Sequence, residues 1–126
     1  MAIKQSITFN TTPERVYKAL ISSAEFGNVT GAPAEISADE GGAFSCFGGQ
    51  ITGRHIELLP NKRIVQAWRA SPWSDGIYSI VKFDISQSSS STIVELEQAG
   101  FPEGGEEHLE GGWYKMYWEP LKAHFG

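Results

Sequence analysis

Near the start of the chain Ile3, Gln5, Ile7 and Phe9 alternate with Lys4, Ser6 and Thr8. A period close to two predicts a strand over the first nine residues, stopped by Asn10-Thr11-Thr12-Pro13. Thr12 offers a capping hydroxyl, Pro13 suits the first helical position, and Val16, Tyr17, Leu20 and Ile21 recur at helical spacing. A helix of roughly ten residues is therefore predicted after the strand. Phe26-Gly27 marks the close of a second short one. From residue 34 to 98 the pattern changes to short β-rich runs. Gly41-Gly42 and Gly48-Gly49 bracket Ala43 to Phe47; Pro60-Asn61, Ser74-Asp75-Gly76 and Ser88 to Ser91 separate the strands that follow. Such tight turns predict an antiparallel meander. In Ser79, Val81, Phe83, Ile85 and in Val94, Leu96, Gln98 one parity is mostly apolar, so one side of the sheet must be covered.

Residues Gly104 to Gly126 return to helical spacing. At 100° per residue the apolar positions Leu109, Trp113, Tyr114, Met116, Tyr117, Trp118, Pro120, Leu121 and Phe125 cover about 200° of the helix. That exceeds the roughly 100° stripe of a helix resting on a flat surface. A curved sheet clasping the helix, or a helix with both a core edge and a partner edge, explains the width. Pro120 removes a backbone donor, which predicts a kink or an end near Trp118 to Leu121. Strand, one or two short helices, antiparallel strands and a long C-terminal helix together make an α+β fold in two layers.

Size and composition narrow the function. The 126 residues suit a single domain, and 40% hydrophobic with 20% charged residues is enough for one core. A net charge of -5 has the wrong sign for neutralising phosphates, which argues against nucleic acid as a partner. The single cysteine, Cys46, closes no internal disulfide, and no Cys or His pair has zinc-ligand spacing, so neither metal nor cofactor is expected. The N-terminal alternation contains no apolar run, which argues against a signal peptide or membrane anchor and for a cytoplasmic location.

Several segments carry a resemblance that covers nearly the whole chain. They are Thr12-Pro13-Glu14-Arg15-Val16-Tyr17; Ala32-Pro33-Ala34-Glu35-Ile36 with Ala38-Asp39-Glu40-Gly41-Gly42-Ala43-Phe44; Gly53 onward through Leu59-Pro60-Asn61-Lys62-Arg63-Ile64-Val65-Gln66-Ala67-Trp68-Arg69; and Gly111 to Lys122 with His124-Phe125-Gly126. In this order the sequence resembles the helix-grip superfamily that includes START domains, the birch pollen allergen family and polyketide cyclases (SRPBCC). Within it the chain is similar to the activator of heat shock protein 90 ATPase homologue family, of the C-terminal-domain type. The resemblance implies one START-like domain over residues 1–126, and a co-chaperone-like, non-enzymatic, protein-binding role in the stress response. The family's N-terminal domain, with its main grip on the chaperone, has no counterpart in these residues. The expected partners are the heat shock protein 90 chaperone or a small hydrophobic ligand of lipid, sterol or polyketide type, with the chain a monomer or weak homodimer. A cyclase or hydrolase activity is the weakest reading.

Candidate sites follow from both lines. Trp68, Phe83, Leu109, Trp113 and Tyr117, with Tyr114 and Trp118, are either core or the wall of a cavity between sheet and helix. Gln98 has inward parity and Glu110 falls inside the apolar arc; buried, each requires a partner, which makes them candidates for a pocket mouth. Glu110 in a frayed first turn is the plainer reading. His55, His108 and His124 stand in no catalytic spacing, and the fourteen glycines match no phosphate loop. Arg54, Lys62, Arg63 and Arg69 suit solvated strand edges. For docking on a chaperone, Trp73 in the loop Ser71 to Gly76 is the anchor expected from sequence, with Trp118 as a second.

Overall fold

The structure, a computed structural model, describes residues 2–126; Met1, the first residue of the expected strand, lies outside them. The chain runs β1 (Ala2–Phe9), α1 (Pro13–Ile21), α2 (Ser23–Thr30), β2 (Glu35–Ile36), β3 (Ala43–Cys46), β4 (Ile51–Leu59), β5 (Arg63–Ala70), β6 (Ser79–Ser88) and β7 (Ser91–Ala99). It ends in a helix of three parts: α3 (Glu106–Gly112), a π-helical turn (Trp113–Trp118) and α4 (Glu119–Phe125). The strands form one antiparallel sheet in the order β1-β7-β6-β5-β4-β3-β2.

Local chemistry sets the boundaries. The Thr12 hydroxyl accepts from the Arg15 amide at 3.3 Å, with Pro13 next in line, so α1 starts where its cap dictates. Ser22 caps α2 through the Glu25 amide, and Gly31 ends it in the left-handed region at φ 73°. That helix runs past the expected stop at Phe26-Gly27 and ends at Thr30, three residues beyond Gly27. Asn61, at φ 67°, turns the chain between β4 and β5.

Pro120 neither ends the helix nor forces an irregular break. Ahead of it the turn widens to i→i+5 hydrogen bonding, with the Glu119 amide donating to the Tyr114 carbonyl. The wider turn makes room for the proline ring, and α4 continues to Phe125.

The sheet curls round this helix. Tyr117 and Trp118 are neighbours in the chain, with ring centroids 6.0 Å apart. Tyr117 meets Phe47, in the turn after β3, at 5.5 Å, and Trp118 meets Phe9 of β1 at 6.2 Å. On a level sheet β1 and β3 would stand about 24 Å apart, out of reach of two adjacent side chains. Two departures from a regular ladder lie on β4, where the sheet bends. Ile56 is an extra residue between His55 and Glu57, a bulge that increases local twist. Gly53 has no room for a side chain: a Cβ there would collide with the Ala67 carbonyl oxygen and meet the Phe44 ring at 2.8 Å. Helix α1 packs against β6, and α2 is tied to the β2 edge, where the Ser23 hydroxyl accepts from the Ile36 amide at 2.7 Å. Phe26 reaches Tyr117 at 5.4 Å, and Glu25 pairs with His124 of α4 at 3.0 Å.

Candidate functional site

The inner face of the sheet and the helix it holds are packed with rings. Trp68 stacks on Trp113 at 5.4 Å, Phe83 meets Trp113 edge-on at 5.7 Å, and Trp113 contacts Tyr117 at 4.4 Å. Leu109 and Leu121 complete the buried stripe of the helix. Offset and edge-on arrangements of this kind add to the area buried.

Each buried indole finds an acceptor. The Trp113 N–H donates to the Gln98 side-chain oxygen at 2.8 Å, the Gln98 amide donates to the Ser79 hydroxyl at 3.0 Å, and that hydroxyl donates to the Trp68 carbonyl at 2.9 Å. The Trp68 indole in turn donates to the Tyr117 hydroxyl at 3.4 Å. On the adjacent strand β1 the Trp118 indole donates to Gln5 at 2.7 Å, and the other end of that amide donates to the Glu110 carbonyl at 3.0 Å. Because an indole N–H can only donate, it fixes which way each glutamine amide points. The two networks peg the helix to the neighbouring strands β7 and β1.

Little space remains. A void of about 10 Å³ lies between Leu20, Phe44, Cys46, Gln66, Phe83 and Tyr117. That is at the lower limit for one water molecule. Burial pushes the Cys46 thiol up to about 12, so no thiolate is available there at neutral pH. It also holds the Tyr117 phenol well above its ordinary value, with Cys46 a smaller contribution. A groove of about 370 Å³ lies outside, over Ser23, Glu35, Ile36, Ala43 and Phe44, and is open to solvent.

The sites read from sequence therefore separate. Trp68, Phe83, Gln98, Leu109, Trp113 and Tyr117 do come together, but as a filled core with its polar atoms satisfied from within. Gln98 is fully buried and marks no pocket mouth. Glu110 is exposed, far from partnering Gln98, and contributes only its backbone carbonyl. Tyr114 is 45% exposed and leaves the core group. Trp118 is 1% exposed and tied to Gln5, so it offers no surface to a partner. Trp73 is half-buried, edge-on to Trp68 at 5.7 Å. Its loop instead exposes Ile77 and Tyr78, at 40% and 49%, with Ile80 just beyond at 44%. Sequence reading missed these three and the roles of Gln5 and Ser79. The inward parity of Gln5 with Ile3 and Ile7, and of Ser79 with Val81, was the available signal.

His55 is also inward and 1% exposed, stacked on Phe44 at 5.5 Å. Neither ring nitrogen has a hydrogen-bond partner among the described residues. Burial lowers its pKa, and the nearby Ser37 backbone offsets only part of that. His108 is exposed, and no group of three His, Cys, Asp or Glu side chains gathers at metal-binding range among the described residues.

The profile of the family described as Activator of Hsp90 ATPase homolog 1-like protein matches residues 10–126. The chain belongs to that family. It is 33% identical over 119 residues to the human Activator of 90 kDa heat shock protein ATPase homolog 1, covering 94% of this chain and 35% of the relative. To the Hsp90 co-chaperone AHA1 of Saccharomyces cerevisiae it is 25% identical over 130 residues, 94% of this chain and 36% of that one. The chain thus spans about a third of the length of the curated relatives it matches. A crystal structure of an Hsp90 activator from Plasmodium falciparum superposes with a TM-score of 0.91 at 25% identity, covering 98% of this chain and 95% of the other. The solution structure of an Aha1 dimer from Colwellia psychrerythraea gives 0.84 at 17% identity over 99% and 96% of the two chains, and shares the fold. No helix among the described residues is long and apolar enough to cross a membrane.

Proposed function

We propose that this chain is a docking domain for an Hsp90-type chaperone and acts as a co-chaperone-like module through its outer surface. The observation that carries this reading is the filled interior. The void beside Tyr117 holds only about 10 Å³, against the several hundred Å³ of pockets that take a lipid, sterol or polyketide, which favours docking over carriage. Function then has to be read from the outside, and the names of the relatives supply the class of partner. The test is titration calorimetry of the purified chain against Hsp90 together with an assay of the chaperone's ATP turnover. Saturable binding is expected, with turnover raised or modulated; no heat and no change at protein concentrations of tens of micromolar would end the reading. The carrier alternative requires Ile36 and Phe44, which stand between the outer groove and the inner void, to swing away. Native mass spectrometry of the freshly purified chain decides it, since a co-purifying lipid would add its mass to the protein.

A further inference from the structure

The outer face of the sheet is built from cross-strand rows of unlike character. One row is Glu57, Val65, Lys82, Glu97 and Lys4, side by side across five strands. The next is Leu59, Arg63, Asp84, Glu95 and Ser6. Five of the seven charged side chains in these rows are paired: Lys82 with Glu97 at 3.6 Å, and Arg63 with Asp84 at 2.6 Å and Glu57 at 3.7 Å.

Toward the other end of the strands the pattern changes. The row Arg54, Ala67, Ile80, Ala99 and Ala2 carries no acidic side chain, and Ile80 stands exposed at its middle. Beside it the Arg69 guanidinium lies over the Tyr78 ring at 5.8 Å, and Ile77 follows in the same hairpin. Arg54 donates to the Gly41 carbonyl and Arg69 to the Trp73 carbonyl, so both are held in place by backbone oxygens. Neither has a carboxylate within ion-pair distance among the described residues, in a chain with five more acidic than basic side chains. Two fixed cations without a carboxylate partner, beside three exposed apolar side chains, are complementary to one kind of surface.

We propose that the apolar patch of Ile77, Tyr78 and Ile80, rimmed by Arg54 and Arg69, is a docking surface for a protein segment that presents apolar side chains next to carboxylates. The biological identity of that partner rests on the chaperone reading above; the chemistry of the surface does not. Apolar side chains of the partner cover Ile80 and Tyr78, and its carboxylates meet the Arg54 and Arg69 guanidinium groups. The paired rows contribute little, because most of their charges are already paired.

The experiment uses the full chain, labelled with nitrogen-15, and two synthetic peptides with the same leucine and phenylalanine positions, flanked in one by aspartate and in the other by lysine. The aspartate peptide is expected to move the amide signals of residues 67, 69, 78, 80 and 99, and the lysine peptide to leave them in place. Ile80→Ser should weaken the aspartate peptide roughly tenfold and Arg54→Glu roughly fivefold. Lys62→Glu, an equal change of charge in the β4–β5 hairpin at the far end of the sheet, should alter it less than about twofold. Unchanged signals elsewhere confirm that each variant is folded. Shifts that map to another face, equal response to both peptides, or full affinity in a folded Ile80→Ser protein would overturn the assignment. The same variants are then titrated with Hsp90. Peptide binding without chaperone binding sinks the chaperone reading and leaves the surface standing; chaperone binding undiminished in both variants does the reverse.

Discussion

On its inner side β7 presents Thr92, Val94, Leu96 and Gln98, all buried; on its outer side the same strand presents Ile93, Glu95, Glu97 and Ala99, none of them buried. Inside, polar atoms are few and nearly all are used. Each glutamine oxygen that faces an indole is taken, and replacing any member strands its neighbour away from water. Outside, charges are many and individually dispensable, because solvent can take over whatever a lost partner provided. The comparison teaches where a change will be felt as stability and where it will be felt as recognition.

The largest effect is expected at the centre of the inner face. Trp113→Ala removes four ring contacts and an indole donor from the core, and should cost about 3–5 kcal/mol in urea unfolding. A loss under about 1 kcal/mol would mean that the helix is not gripped as described. Gln98→Leu keeps the volume but leaves the Trp113 N–H without an acceptor and the Ser79 hydroxyl without a donor. It should cost about 1–3 kcal/mol. Thermal unfolding unaltered by this substitution would show that water replaces the amide.

His55 makes the inner face sensitive to acid. Its pKa is lowered in the folded chain, so the unfolded chain takes up the proton first. Its effect is nil well above pH 6.5, and stability declines as the pH falls below that value, at most by about 1.4 kcal/mol per unit. His55→Gln should flatten the curve between about pH 6.5 and 5. A parallel, merely displaced curve would assign the acid sensitivity to other groups. The smallest change is expected on the outer face: Lys82→Met breaks the pair with Glu97, whose partners are 40% and 41% exposed, and should move stability by less than about 1 kcal/mol. A larger loss, measured in the same urea series, would erase the contrast between the faces.

Much of the architecture is legible in the residues themselves. Period-two alternation places β1, β6 and β7, and the Thr12-Pro13 pair places the start of α1, because the physics at those points is local. The C-terminal helix is legible as an element but not in its facing. An even 100° step puts Glu110 and Tyr114 in the apolar arc, yet the fold leaves both exposed, since the π turn changes the angular bookkeeping within the helix. Whether the aromatics enclosed a cavity could not be read from the chain, because packing depends on how tightly the sheet curls, which Gly53 and the Ile56 bulge influence through non-local contacts. The outer patch was hidden for a related reason. Arg54 and Ile80 are far apart in sequence and become members of one row only through the register of three strands.

The wide turn ahead of Pro120 also bears on which lengths of chain this fold tolerates. Deleting one residue between 113 and 118 would return the helix to even spacing, drive the pyrrolidine against the preceding turn, and swing Leu121 and Phe125 out of phase with their sockets. The serine-rich tip joining β6 to β7 is an exposed two-residue turn with Ser89 at φ 55°, which accepts inserted residues more readily than the loss of one. Natural variation in length should therefore collect at that tip and stay away from the helix.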